Sequence, residues 1–231
     1  MSDFSKLERH ERTIKVIGTN AIEKLIRSHI AVFGAGGVGG ATIEVLARIG
    51  IGSLTLIDGD CLTKSNLNRQ FLAITDTIGQ RKVVTAKNRV HAINPDCVVQ
   101  IHDVFVKPDN MHMFDFSTYD YVIDAIDNIT AKLSIIEECK KIGTPLVSCM
   151  GTGNKLDSTR FQITDICKTT VCPLARVIRR ELKNREIEKL NVLWSDEQPL
   201  CNSRPPGSVS FVPPVAGMML AGYVVKELIE C

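Results

Sequence analysis

Hydrophobic positions along the chain form short apolar runs that alternate with segments of helical spacing. Runs of this length are typical of buried strands, and they occur at 29–33, 53–57, 98–102, 119–125 and 146–150. Apolar residues three or four positions apart predict helices between the runs, at 41–49, 80–93 and 130–141. Strands that alternate with helices imply right-handed crossovers, so residues 1–150 are expected to form an α/β region with a doubly wound, mainly parallel, Rossmann-like sheet.

The second half of the chain, residues 151–231, has a less regular pattern. It is predicted to contain two strands and two helices, the strands at 160–166 and 191–195 and the helices at 173–190 and 215–228. We expect this half to be a C-terminal extension that contains antiparallel strands. It is expected to belong to the same compact domain as residues 1–150.

The last predicted helix lies in an uncharged stretch that requires a test for membrane insertion. Residues 207–225 approach the roughly 20 residues that a membrane span needs. However, Pro213, Pro214 and Gly217 fall inside this stretch. We therefore expect a helix that is buried against the sheet or at a subunit interface, and no membrane span.

Composition places the chain among ordinary globular proteins. The apolar fraction is 44% and the net charge is only +2, which excludes disorder and coiled coil and does not by itself indicate nucleic-acid binding. The eight cysteines are scattered without C-x-x-C spacing, and the charged N-terminus lacks the apolar stretch of a signal peptide. A reducing, cytoplasmic compartment is therefore expected, in which most cysteines are small buried residues.

A glycine-rich motif follows the first predicted strand. Gly34, Gly36, Gly37 and Gly39 form G-x-G-G-x-G at the start of a helix, where backbone N–H groups and the helix dipole favour a phosphate. Asp58 ends the next predicted strand, where a carboxylate can accept hydrogen bonds from ribose hydroxyls. The motif predicts a nucleotide site and is equally compatible with NAD, FAD and ATP.

Charged residues further along the chain favour a triphosphate over a dinucleotide. Arg69 and Lys82 can neutralise phosphate oxygens, and Asp127, which follows another predicted strand, can hold Mg²⁺. Each could alone be an ordinary surface charge, and an NAD-dependent oxidoreductase has no evident use for all three. Their joint presence predicts an ATP site. It also weakens another alternative, a nucleotide-binding adaptor that has lost catalysis.

Five motifs together resemble those of the ubiquitin-activating-type adenylating enzymes, the superfamily of MoeB, ThiF and HesA. In matching order and spacing, they are the glycine motif, D-x-D at 58–60, S-N-L-x-R-Q at 65–70, G-Q-x-K at 79–82 and D-N at 127–128. The resemblance extends over residues 12–225, nearly the whole chain. It implies adenylation, in which a substrate carboxylate attacks the α-phosphate of ATP and pyrophosphate leaves.

The resemblance also assigns roles to residues. Asp58 would hold the ribose, Asn66 would bind the triphosphate together with Arg69 and Lys82, and Asp127 would bind Mg²⁺. Arg12 would reach into the ATP site of the partner subunit in a homodimer. Arg12, Arg69, Lys82 and Asp127 are thus the implied catalytic set. Asp60, Gln70 and Asn128 lie in the same motifs and are assigned to the nucleotide site with the four glycines.

Two branches of the superfamily differ in the carboxylate that they activate. MoeB- and ThiF-like members adenylate the C-terminal Gly-Gly of a ubiquitin-like sulfur carrier and generally carry two zinc-binding C-x-x-C pairs, which this sequence lacks. The second half instead resembles the tRNA threonylcarbamoyladenosine dehydratases, at 164–169, 173–175 and 207–214. This resemblance implies that the threonylcarbamoyl carboxylate on an anticodon-loop adenosine of tRNA is adenylated and then cyclised with loss of water. Activation of a sulfur carrier is the alternative.

Two further features bear on the partners. Residues 160–190 hold eight Lys or Arg against four Asp or Glu, so this segment could follow tRNA phosphates or could be a solvated helix face. Cys167, Cys172 and Cys201 lie in a region where some relatives carry a thioester or persulfide, with Lys168 or Arg204 near enough in sequence to activate a thiol. Cyclisation needs no thiol, so we favour structural cysteines. A cysteine desulfurase or other sulfur-acceptor partner is the alternative.

Overall fold

The computed structural model of the chain describes residues 8–203 and 205–230, and residues 1–7, 204 and 231 lie outside it. Seven strands form one sheet: β1 (His29–Phe33), β2 (Ser53–Ile57), β3 (Val98–His102), β4 (Tyr121–Asp124), β5 (Leu146–Cys149), β6 (Phe161–Asp165) and β7 (Asn191–Ser195). In the described part of the chain, it is accompanied by the α-helices α1 (Glu11–Ile17), α2 (Thr19–Arg27), α3 (Gly37–Ile49), α4 (Lys82–Ile93), α5 (Ile129–Ile142), α6 (Pro173–Asn184) and α7 (Val212–Glu230).

The strand order across the sheet is β3-β2-β1-β4-β5-β7-β6. Every pairing is parallel except that of β6 with β7, which is antiparallel. The expected doubly wound, mainly parallel fold with an antiparallel C-terminal part is thus confirmed. From β1 the chain first builds outward through β2 and β3 and then returns to the other side of β1 with β4. In such sheets, ligands bind outside the carboxyl ends of the strands at this switch point.

Both faces of the sheet are covered. Along β1, Ile30 and Val32 face the core beneath α3, α4 and α7, while Ala31 and Phe33 face the core beneath α5 and α6. The ring of Phe33 packs against two other phenylalanines, Phe114 at 5.3 Å and Phe116 at 5.7 Å between centroids. Burial on both faces explains why these strands read as continuous apolar runs rather than as alternating patterns.

Helix α7 packs closely against α3. A Cβ at Gly217 would collide with the carbonyl oxygen of Val38 and lie 3.0 Å from the Cβ of Ala41. Thr42 crosses the same contact, because its hydroxyl donates to the carbonyl oxygen of Gly217 at 3.0 Å. By length and composition α7 could cross a membrane, and half of its most apolar stretch is buried inside the fold. Its packing is that of a core helix, as expected for the uncharged stretch.

Three helices, α1, α2 and α6, differ from the predicted elements. Helices α1 and α2 were not predicted, although Ile22 and Leu25 of α2 are fully buried. The helix predicted at 173–190 ends six residues early, at Asn184. There the amide of Ile187 donates to Leu182 and that of Glu186 to Lys183, which is a Schellman ending. Its left-handed position is usually glycine and is here Glu186 (φ 56°), so the usual marker of a helix end was missing. The other bounds differ by a few residues.

The contact between α3 and α7 predicts opposite effects for two glycines of α7. Gly217→Ala should lower the free energy of unfolding by about 1–3 kcal/mol because the added methyl group overpacks the contact. Gly222→Ala should raise it by about 0.5–1 kcal/mol, because no atom lies within 4 Å of the added Cβ and alanine favours the helix. Urea denaturation of both variants measures the difference, and equal effects would contradict this account of the packing.

Candidate functional site

The glycine motif forms the loop between β1 and α3. Gly34 has φ 95°, and a Cβ there would lie 2.8 Å from the carbonyl oxygen of Ala125, so only glycine lets this loop touch the chain after β4. A Cβ at Gly39 would collide with the carbonyl oxygen of Gly34, which makes Gly39 a packing residue of the turn. At Gly36, in contrast, the nearest atom would be 3.8 Å away.

Asp58 lies at the end of β2 and is hydrogen-bonded to the glycine loop. One carboxylate oxygen accepts from the amide of Ala35 at 2.7 Å, and the other accepts from the amide of Asp60 at 2.8 Å. The buried ammonium of Lys82, at the start of α4, donates to Asp60 at 2.7 Å and lies 3.8 Å from Asp58. Two carboxylates therefore hold one lysine beside the glycine loop.

These residues line a cavity of about 750 Å³ at the carboxyl ends of β1, β2 and β4. Eleven of the thirteen residues assigned from the sequence lie around it: Gly34, Gly36, Gly37, Asp58, Asp60, Asn66, Arg69, Gln70, Lys82, Asp127 and Asn128. Gly39 lies behind the loop. Arg12 is an exposed residue of α1 and does not line the cavity of its own chain.

The segment at 65–70 forms one side of the cavity. The guanidinium of Arg69 donates to the carbonyl oxygen of Ser65 at 3.0 Å and to the side chain of Asn68 at 2.9 Å. The side-chain oxygen of Asn66 accepts from the amide of Thr63 at 3.0 Å, so it helps to shape the turn. Gln70 is buried, and its side-chain oxygen lacks a hydrogen-bond partner among the described residues. This oxygen is itself buried, so it is one of the few polar atoms in the described residues that meet neither solvent nor a protein donor.

A second side of the cavity was missed from the sequence. Residues 104–108 leave the carboxyl end of β3 and contribute four apolar side chains, those of Val104, Phe105, Val106 and Pro108, and Phe105 is 60% exposed. We call residues 104–108 the apolar wall. The run Val104-Phe105-Val106 directly after a predicted strand could have indicated it, because the carboxyl ends of parallel strands are where ligands bind.

The loop after β4 forms the floor of the cavity and rests on a buried ion pair. The ammonium of Lys132 donates to Asp124 at 2.7 Å and to Ser148 at 3.1 Å, and the hydroxyl of Ser148 donates to Asp124 at 2.6 Å. Lys132 and Asp124 are both fully buried. The other oxygen of Asp124 accepts from the amide of Ile126 at 3.2 Å, so the network fixes the turn that leads to Asp127.

This network was also missed, although the sequence held an indication of it. Lys132 stands at helical spacing with the apolar residues Ile135, Ile136 and Cys139 and therefore lies in the buried stripe of α5. A lysine in such a stripe requires a partner, because an isolated buried charge is very costly. The partners lie on β4 and β5, which only the tertiary structure brings to it.

Asp127 and Asn128 follow the turn at the start of α5. Asn128 caps the helix, because its side-chain oxygen accepts from the amide of Ala131 at 3.0 Å. No hydrogen bond or ion pair recorded in the described part of the chain engages the carboxylate of Asp127, which is exposed at the cavity. The described residues contain no group of three or more His, Cys, Asp or Glu side chains suited to hold a metal ion. Any metal there would depend on one or two carboxylates together with ligands from elsewhere.

A groove of about 450 Å³ continues from the cavity between α5 and α6. Pro108 and Thr130 line both, and Arg180 and Arg185 lie along the groove. On α6, the exposed cations Arg176, Arg180 and Lys183 have i, i+4, i+7 spacing and share one face of the helix. We call these three residues the basic stripe.

Other cations of the basic segment serve the fold. Arg179 donates to the carbonyl oxygen of Thr169 at 2.9 Å, Arg185 pairs with Glu137 at 2.5 Å, and Arg160 pairs with Asp196 at 2.7 Å. These contacts give three of the eight cations a partner in the fold, and Arg180 of the stripe has a weaker exposed partner in Glu181 at 3.3 Å. Fewer of the positive side chains of residues 160–190 are therefore free to bind a polyanion than the sequence indicated.

The seven described cysteines are free thiols. Burial raises the pKa of Cys97 to about 11 and that of Cys149 to about 12, so both are inert at neutral pH. Cys172 is buried as well. Of the two exposed thiols, Cys167 has a raised pKa because it is hydrogen-bonded to Asp165, and Cys201 has a lowered pKa because the backbone and hydroxyl of Ser203 donate to it. Arg204, considered above as an activating neighbour, lies outside the described residues.

The buried ion pair predicts a clear stability effect. Lys132→Met should lower the free energy of unfolding by about 3–5 kcal/mol because it leaves the charge of Asp124 buried and unpaired. The double variant Asp124→Leu/Lys132→Met should lose less, because neither charge remains. As a control, Arg185→Met breaks exposed pairs and should cost no more than about 1 kcal/mol. Guanidinium denaturation gives all three values, and a double variant that is less stable than Lys132→Met would contradict this explanation.

Comparisons with known proteins agree with the geometry of the site. The model of the ThiF family matches residues 7–231. The tRNA threonylcarbamoyladenosine dehydratase of Bacillus subtilis is 40% identical, over 97% of this chain and 96% of that protein. Crystal structures of the E. coli tRNA N6-threonylcarbamoyladenosine dehydratase TcdA in complex with ATP and with AMP match with a TM-score of 0.92 and 34% identity, over 97% of this chain and 95% of theirs. The motifs, the fold and these matches together establish that the chain belongs to the ThiF family.

Proposed function

We propose that the protein is an ATP-dependent tRNA threonylcarbamoyladenosine dehydratase. The observation that carries the proposal is the joint lining of one cavity by Asp58, Arg69, Lys82 and Asp127 beside the glycine loop. The similarity to dehydratases along nearly the whole chain supports the choice of substrate. An NAD-dependent oxidoreductase would leave the arginine, the lysine and the lone carboxylate without a purpose.

The reaction has two steps. In the first, a carboxylate oxygen of the threonylcarbamoyl group attacks the α-phosphate of ATP, the bond to the β-phosphate breaks, and pyrophosphate leaves. In the second, a nitrogen of the same group attacks the activated carbonyl carbon and loses its proton, and AMP departs with the former carboxylate oxygen. The net change in the tRNA is the loss of one water. No general base is needed in the first step, because the carboxylate is ionised at neutral pH.

The protein contributes mainly position and charge. The glycine loop and the start of α3 would receive phosphate oxygens, and Asp58 would hold the ribose. Arg69, Lys82 and Asn66 would bind the triphosphate, with Lys82 exchanging Asp60 for a phosphate oxygen. Gln70, with its unpaired side-chain oxygen, and Asn128 would complete the binding site.

Asp127 suits Mg²⁺ because its carboxylate is exposed at the cavity and unpaired. Mg²⁺ usually keeps several waters and is held by one or two carboxylates together with substrate phosphates, which is why a single aspartate suffices. When bound, the ion would neutralise charge on the phosphates. The residues present therefore fit the ion proposed from the sequence.

The rival substrate is the C-terminal Gly-Gly of a ubiquitin-like sulfur carrier. The same cavity could adenylate it, since the chemistry of the carboxylate is identical. The absence of C-x-x-C pairs from the sequence and the high similarity to dehydratases favour the tRNA. A cysteine desulfurase or sulfur-acceptor partner would belong to this alternative, with the exposed Cys167 and Cys201 as candidate carriers. The proposed compartment is the cytoplasm in either case.

We further propose a homodimer. Arg12 lies outside the cavity of its own chain, as expected of a residue that serves the partner's ATP site. Two exposed apolar groups flank the start of α3, with Leu67, Phe71 and Ile74 on one side and Phe211 and Met218 on the other. Pro213 and Leu72 contact that helix start at Gly37 and Gly40, so both groups surround one area of the surface. Burial of this area would form the interface.

Within this dimer, residues 1–150 would bind ATP, and residues 151–231 would bind the substrate and contribute to dimerisation. The groove between α5 and α6 and the basic stripe would receive the tRNA. Arginine and lysine on one exposed face can follow successive phosphates. The groove joins the nucleotide cavity, which would bring the modified adenosine to ATP.

Pyrophosphate release with two candidate substrates tests the proposed function. tRNA that carries threonylcarbamoyladenosine should support turnover and yield a product lighter by one water, and a Gly-Gly sulfur carrier should not. Asp127→Asn should reduce the rate by about 100-fold or more, because it removes charge that acts in the transition state. The exposed Asp76→Asn, outside the cavity, serves as the control. If only the sulfur carrier supports turnover, the protein belongs instead to the branch of the superfamily that activates sulfur carriers.

The basic stripe is tested by the salt dependence of tRNA binding. Arg176→Glu/Arg180→Glu should weaken binding and reduce the slope of log K against log salt by about 1–2, because two phosphate contacts are lost. ATP affinity should not change. The control Arg27→Glu/Lys226→Glu alters the net charge equally on exposed residues of α2 and α7, away from the groove. If both double variants reduce the slope equally, binding depends on net charge and not on the stripe.

A further inference from the structure

We propose that Arg81 and Asp103 form a clamp that positions the apolar wall of the nucleotide cavity and thereby sets the affinity for ATP. Neither residue lines the cavity, so both act through the segments that they hold. The inference rests on the proposed function, because the ligand is taken to be the ATP of that reaction. It assigns a role to Arg81, which occupies the variable position of the G-Q-x-K motif.

Arg81 makes side-chain contacts with two segments, the one that begins at Asp103 and the loop that contains Gly59 and Cys61. Its Nε donates to both oxygens of Asp103, at 2.7 and 2.5 Å, and its terminal nitrogens donate to the carbonyl oxygen of Gly59 at 2.8 Å and to Sγ of Cys61 at 3.4 Å. A second guanidinium nitrogen also reaches Asp103, which makes the pair bidentate. Bidentate arginine–carboxylate pairs fix direction as well as distance.

The main chain around Arg81 is fixed equally well. Arg81 and Cys61 form an isolated antiparallel bridge, and the amide of Lys82 donates to the carbonyl oxygen of Asp60 at 3.0 Å. Asp60 in turn accepts from the ammonium of Lys82. Arg81 is therefore anchored to the loop that carries the two acidic residues of the cavity. Its guanidinium extends from this anchored backbone to Asp103.

Asp103 stands immediately before the apolar wall. A Cβ on Gly59 would lie 2.6 Å from the backbone nitrogen of Phe105, so the wall packs directly on the loop after Asp58. Within the wall region, the side chain of Asn110 donates to the carbonyl oxygen of Phe105 at 2.9 Å and accepts from the amide of Lys107 at 2.8 Å. The wall is thus a stiff unit, and the clamp joins its first end to the loop at 58–61.

The position of the apolar wall matters because its side chains face the space in which a ligand would bind. Val104, Phe105 and Val106 give the cavity an apolar side next to the loop that carries Asp58 and Asp60, and this side suits the flat face of a nucleotide base. The arginine and the aspartate are each more than one-third exposed, so the pair adds little to global stability. Its effect should instead appear in the binding of the nucleotide, whose base and ribose would contact the two segments that the clamp joins.

The test measures ATP in two ways on full-length variants. For Arg81→Met and for Asp103→Asn, the Kd for ATP without tRNA and the KM for ATP in turnover should each rise about tenfold, while kcat changes less than about twofold. The double variant should be no worse than either single variant, because both remove the same clamp. Gly59→Ala should also raise both constants, since it displaces Phe105 without any change of charge.

Arg160→Met and Asp196→Asn are the matched controls. They break an Arg–Asp pair of similar exposure, at 2.7 Å, that does not adjoin the cavity, and they should leave the Kd for ATP unchanged. Thermal melting verifies that every variant is folded at the assay temperature. An unchanged Kd for Arg81→Met, or an equal rise in the control pair, would overturn the clamp.

The direct Kd separates this inference from the proposed function. If the wild type binds ATP and does not act on the modified tRNA, the proposed substrate is wrong, and the Kd values of the variants still decide the clamp. If the wild type turns over the tRNA and Arg81→Met matches it in Kd and KM, only the clamp is wrong. Additive effects of Arg81→Met and Asp103→Asn would also overturn the clamp.

Discussion

The close approach of Gly34 to the backbone at Ala125 is the contact on which the rest of the site depends. The two residues follow β1 and β4, the neighbouring strands between which the direction of sheet construction reverses. A side chain at Gly34 would separate the glycine loop from the loop that carries Asp127. Because both loops must line one cavity, the left-handed backbone of a single glycine determines the distance between the phosphate-type turn and the lone carboxylate.

Charge around the cavity is arranged in two layers with different tasks. Below the floor, Asp124 and Lys132 neutralise each other in full burial and hold the turn after β4 in one geometry. At the cavity, Lys82 lies between Asp58 and Asp60, while Arg69 is held by Ser65 and Asn68. The buried layer is costly to disturb because no solvent can replace a lost partner. The layer at the cavity can exchange a protein partner for a ligand.

The second half of the chain completes the domain and shapes the approach to the cavity. Strand β7 pairs with β5 of the first half, so both halves build one sheet. Helix α7 lies against α3 through Gly217, directly behind the glycine loop. Helix α6 forms a groove with α5 that opens into the cavity. The cavity and the groove that opens into it are therefore parts of one structural unit.

The sequence by itself determined the sheet class and singled out many of the residues that line the cavity. Parallel strands buried on both faces must be apolar runs, and a turn that receives phosphate needs glycine, so the chemistry of each element is visible in local order. Helices α1 and α2 were not predicted from the hydrophobic pattern. The end of α6 was misplaced because Glu186 occupies the position at which a glycine usually marks the end of a helix.

What only the tertiary structure decided is which distant residues meet. Three features depend on contacts between segments that are far apart in the chain. They are the apolar wall, the partners of Lys132 and the clamp between Arg81 and Asp103. Likewise, Arg160, Arg179 and Arg185 make contacts within the fold, whereas Arg176, Arg180 and Lys183 share one exposed face of α6 as the basic stripe. Periodicity reports the face on which a residue lies, whereas its partner is set by the packing of elements that local sequence does not specify.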